Sequence, residues 1–125
     1  MEKVSVKLVM FRQKTFHEEG ECCGYCPALE SFHVFNSFDK LLEYMQNSLI
    51  IELESRLHYK NLLKMGWQVS ENSAKPPIFA NEMLIRLTEE CFETKIKEPI
   101  IVELYAELPP ARDRYAHLSD THKDT

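Results

Sequence analysis

Phe38, Leu41, Leu42, Met45, Leu49, Leu53 and Leu57 recur at spacings of three and four. That is the pattern of one apolar face on an α-helix. Ile50, Ile51, Leu62 and Leu63 widen the face. Asn36 suits an N-cap, and Asp39 three residues on is a capping-box variant that also suits the positive helix end. Gly66 follows Lys64 and Met65 and suits a left-handed C′ position. The spacing predicts a helix over 37–65, about 29 residues and about 43 Å long. So long a helix in a small domain must overhang, kink or pack on a partner.

The segments around it read as strands. Val4, Val6, Leu8 and Met10 alternate with Ser5, Lys7, Val9 and Phe11, a period of two. Residues 12–20 are polar and predict a turn. Glu21–Cys26 is a second short strand, with Pro27 at its end. In Ser31–Phe35, Phe32 and Val34 share one face, and His33 and Phe35 share the other. Beyond the helix, 67–77 reads as a linker containing Pro76 and Pro77. Residues 82–93 predict a short helix with Met83, Leu84, Leu87 and Cys91 on one side. Ile100–Leu108 alternates again, with Glu103, Tyr105 and Glu107 opposite an apolar face. Residues 109–125 form a polar tail.

Strands joined by short turns pair antiparallel. The expected fold class is therefore α+β. Three N-terminal strands and one C-terminal strand form an antiparallel sheet packed on one long helix, in two layers. A chain of 125 residues fits a single domain. That domain spans 1–108, with a linker and short helix inserted at 67–98.

Charge narrows the partners. Lys plus Arg is 15 against Asp plus Glu at 20, a net charge of −5. Nucleic-acid binders usually carry a basic surplus or stripe, so direct nucleic-acid binding is not expected. The longest apolar run is Leu8–Phe11, far short of a membrane span. Met1-Glu2-Lys3 leads straight into the first strand pattern without a signal-peptide core. The expectation is a cytoplasmic protein, whose four cysteines are thiols rather than a disulfide framework.

Cys22-Cys23-Gly24-Tyr25-Cys26 is the first candidate for chemistry. Cys23 and Cys26 have the C-x-x-C spacing of thiol–disulfide oxidoreductases. Those enzymes place the first Cys at a helix N-terminus, which lowers its pKa, and no helix is expected here. Zinc is the second candidate, from Cys22, Cys23, Cys26, His17 and His33. Structural zinc usually takes two separated ligand pairs, and only one is present. Adjacent strand residues also face opposite ways. Ser31, Ser37, Ser48 and Ser70 lie in no Gly-x-Ser-x-Gly setting. Nothing selects a Cys–His pair, and there is no Gly-rich phosphate loop. No catalytic residue, cofactor or metal is assigned. The stronger signal is association: Ile50, Ile51, Tyr59, Leu62, Leu63 and Trp67 form the candidate contact surface for a partner or a second copy, the alternative being that the short second helix covers them within one chain.

Gly24-Tyr25-Cys26-Pro27-Ala28-Leu29 resembles the strand and turn of the HicB-like antitoxin family. Phe32-His33-Val34-Phe35, then Asn36-Ser37, then the helix from Phe38 to Leu53 follow in the family's order. Ile100-Ile101-Val102-Glu103-Leu104 resembles its closing strand. The resemblance covers about residues 4–57 and 99–107. Glu30-Ser31 stands where the family has Gly-Cys, and Asn36-Ser37-Phe38 replaces its Gly-Asp-Thr helix start. No DNA-binding module is visible. The resemblance implies a truncated ribonuclease-H-like fold without nuclease activity. It also implies a homo-oligomer, dimer or tetramer, that binds and neutralises a small basic toxin-like protein. The alternative is a redox or zinc-binding thiol protein built on Cys22, Cys23 and Cys26.

Overall fold

The computed structural model describes residues 2–13, 21–58, 61–70 and 73–108. The elements run β1 (Glu2–Gln13), β2 (Glu21–Cys26), β3 (Ser31–Phe35), α1 (Phe38–His58), a 3-10 turn (Leu62–Met65), β4 (Gln68–Val69), β5 (Ala74–Lys75), α2 (Asn81–Phe92) and β6 (Ile100–Leu108). The fold is α+β. Its main sheet has the order β3-β2-β1-β6, and β4 and β5 form a separate hairpin. Every pairing is antiparallel, with Met10 opposite Gly24, Leu8 opposite Val102, and Gly24 opposite His33.

Period two sorts the strands into two faces. Val4, Val6, Leu8 and Met10 point to one side with Cys22, Cys26 and Leu104, and pack with Leu41, Met45, Leu49, Leu53 and Leu57 of α1. Gly24 lies where α1 approaches closely. A Cβ there would sit 3.1 Å from both Leu41 Cδ2 and Met45 Sδ. This is the expected layer of sheet on long helix.

The helix is shorter than its apolar stripe suggests. It spans 21 residues, roughly 32 Å. The stripe continues into a 3-10 turn, and Gly66 takes its left-handed conformation (φ 88°) at the end of that turn. The start is also capped differently. The Ser37 hydroxyl accepts from the Lys40 N–H at 3.2 Å, so Ser37 rather than Asn36 serves as N-cap.

The opposite face is covered in part by α2. Phe92 packs edge-on against Phe11 (ring centroids 5.1 Å apart) and Phe32 (5.9 Å). Leu84 and Thr88 are buried, and the Thr88 hydroxyl donates to the Leu84 carbonyl at 2.7 Å. Cys91, expected on the apolar side, is exposed. The acidic row on β6 also has partners in register: Lys7 stands opposite Glu103, and Lys3 opposite Glu107. Lys3 Nζ lies over the Tyr105 ring, 4.6 Å from its centroid.

The segment after α1 closes the end of the core. Leu62, Trp67 and Ala74 are buried with Leu53 and Leu57. The Trp67 indole N–H donates to the Ala28 carbonyl at 2.6 Å, which ties this segment to the turn between β2 and β3. Trp67→Phe keeps most of the apolar contact but leaves that carbonyl unpaired. The expected loss is about 1–3 kcal/mol of unfolding free energy, read from urea denaturation. An unchanged midpoint would show that the bond contributes nothing.

Candidate interaction surface

The three clustered cysteines are core residues. Cys22, Cys23 and Cys26 are all buried and none is in a disulfide. Their strand separates them. Cys22 and Cys26 face α1, whereas Cys23, opposite Phe11, faces the α2 side. A Cys23–Cys26 disulfide would have to cross the sheet, which intact strand geometry does not allow. Burial pushes the Cys23 thiol up to about 11, with help from the nearby Glu21 charge. Burial pushes Cys26 up to about 12, against partial relief from the Leu29 backbone N–H. Activated thiols are shifted the other way. Among the described residues, no three His, Cys, Asp or Glu side chains come together as a metal site. His17 lies outside the described residues.

One polar pair resembles part of a catalytic constellation. Ser31 Oγ and His33 Nε2 are 3.2 Å apart. The cavity beside them measures about 10 Å³, at most one water's worth of space. The His33 ring stacks edge-on with Tyr44 at 4.8 Å. A larger groove of about 630 Å³ lies where β1 ends, with Phe11, Phe38 and Ile100 as apolar walls and Arg12, Lys95 and Lys97 among its lining. Arg12 is held over the Phe38 ring there, 5.2 Å from its centroid.

The residues expected to form a contact surface divide. Leu62 and Trp67 are inside the chain's own core and are not available to a partner. Ile50 is half-buried against that core. Ile51 and Leu63 do face solvent, 53% and 64% exposed. Tyr59 lies outside the described residues. Sequence reasoning did not include two further exposed apolar residues. Phe32 and Val34 share the α2-side face of β3 and are 59% and 44% exposed. Their period-two placement on one face was visible. What was missing was the order of the described strands, which puts β3 at one end of the sheet.

Membrane insertion by helix finds no candidate, because no described helix is long and apolar enough to cross a bilayer.

The thiols yield a pH prediction. The folded chain holds Cys23 and Cys26 protonated at pH values where the unfolded chain releases those protons. Their stabilising contribution is complete below the ordinary thiol pKa of about 8.5. It is lost progressively as pH rises toward about 11 for Cys23 and about 12 for Cys26. Thermal melts should therefore shift down from about pH 9 upward, and Cys26→Ala should flatten that alkaline limb. At pH 8 a maleimide should label Cys91 well before the other three. Fast labelling of Cys23 or Cys26 in the folded chain would contradict the assignment.

No known protein family matches the chain, and neither does any curated protein or solved structure.

Proposed function

We propose that this chain is a non-catalytic, cytoplasmic protein-binding module of the HicB antitoxin type, which neutralises a small basic partner protein and associates with itself. One observation carries the reading. The side chains with chemical potential, Cys22, Cys23 and Cys26, are buried in packing, while Phe32, Val34, Ile51 and Leu63 face solvent. Exposed apolar side chains rimmed by polar ones are what a binding protein offers a partner. The net charge of −5 favours a basic partner and speeds its encounter.

The strand-turn-strand that resembles the HicB pattern supports the same reading. Tyr25 and Cys26 end β2, Pro27–Glu30 form the turn, and Ala28 and Leu29 are buried in the core. A redox or zinc role would need Cys23 and Cys26 to act together, and they lie on opposite faces of the sheet.

The test mixes the full chain with a purified, small, basic, RNA-cleaving protein of the HicA type. Native mass spectrometry should show a stoichiometric complex. RNA cleavage should fall at least about tenfold, and raising salt beyond about 0.15 M should weaken the complex because charge steers it. Undiminished cleavage with no complex at micromolar concentrations would overturn the proposal.

A further inference from the structure

Among the described strands, β3 and β6 end the sheet, and the two ends are built differently. Edge strands invite pairing with other chains, and proteins blunt them with charges, prolines or covering groups. The β6 edge is blunted in this way. It carries Glu103 and Glu107, and the Gln46 side chain donates to the Tyr105 carbonyl at 2.7 Å. Among the described residues, the β3 edge lacks the first two of these devices. Ser31-Phe32-His33-Val34-Phe35 contains no charged residue and no proline.

The strand is also self-complementary. Turned about a two-fold axis through His33, Phe32 of one copy falls opposite Val34 of the other, and Ser31 opposite Phe35. Both Phe–Val pairs then lie on the α2 side, where Phe32 and Val34 are exposed and where aromatic–β-branched pairs stabilise a sheet. On the other face, His33 and Phe35 already pack on Tyr44 of the same chain. Charge decides the occupant. A basic partner would be met by acidic residues, whereas this strand carries none, so pairing it with its own copy sets no like charges opposite each other although the chain is net negative.

We propose that the outer edge of β3 pairs antiparallel with β3 of a second copy of this chain, making one sheet continuous across the dimer. The inference rests on the self-association part of the function proposed above and gives it a location. Pairing of five residues with four exposed side chains at its centre makes a small interface, so the dimer should be of micromolar strength.

The experiment is sedimentation velocity on the full chain from about 5 to 200 µM. The wild-type chain should move from monomer to dimer across that range. Val34→Lys, which places a charge on the exposed face, should remain monomeric with an unchanged far-ultraviolet circular dichroism spectrum. Tyr105→Lys on the β6 edge should dimerise like wild type. In a Cys91→Ser background, His33→Cys should form an intermolecular disulfide when oxidised glutathione takes up the two electrons and two protons of the paired thiols. A monomeric wild type, a Val34→Lys dimer or an uncrosslinked His33→Cys chain would each overturn the inference. A monomer that still binds the basic ribonuclease leaves the partner-binding proposal standing. A β3-paired dimer that ignores the ribonuclease does the reverse.

Discussion

Leu8 and Val9 sit back to back on β1, and neither exposes any surface. β1 pairs with β2 on one side and β6 on the other. Val9–Gln13 of its twelve residues pair with β2 and Glu2–Met10 with β6, so the N-terminal hairpin and the C-terminal strand are held together through it. Its even-numbered residues from Val4 to Met10 anchor α1, while Val9 and Phe11 lie on the side covered by α2. Burial of a Leu or Val side chain is worth about 1.5–3 kcal/mol. A polar substitution at Leu8 would therefore disturb the face packed on α1, and one at Val9 the opposite face, at a position that pairs with both β2 and β6.

Much of this arrangement was legible from residue spacing. Alternation at Val4–Phe11, Ser31–Phe35 and Ile100–Leu108 and the burial-prone residues of Glu21–Cys26 matched strands, and the Phe38–Leu57 stripe matched α1. The end of α1 was not legible, because Leu62 and Met65 continue an apolar rhythm that a 3-10 turn uses as readily as an α-helix. Gly66 did mark a left-handed stop, but of that turn. The role of Trp67 was hidden for a different reason. A large aromatic residue in a linker reads as free apolar surface unless its indole partner is known, and that partner, the Ala28 carbonyl, is 39 residues away.

The exposed apolar surface was harder to read than the fold. The length of the apolar helical stripe pointed to more apolar surface than the sheet could cover, but it could not place the excess. Placement depends on long-range topology: which strand lies at the end of the sheet, and how far α2 reaches. The C-x-x-C spacing shows the converse. Its meaning was set by local geometry, since consecutive strand residues alternate faces and a spacing of three puts Cys23 and Cys26 on opposite sides. Burial then raised both thiols instead of activating them.

The most direct measurement on this account is native-state amide hydrogen exchange of the full chain at low and high protein concentration. Core-strand amides open only with global unfolding, whereas edge amides open locally. The amides of Val4–Phe11 should be the slowest at either concentration. Those of Ser31–Phe35 should exchange quickly when dilute and slow markedly when concentrated, while those of β6 should not respond. Fast exchange along β1, or β3 protection independent of concentration, would contradict a central strand that holds the sheet and a free edge that joins two copies.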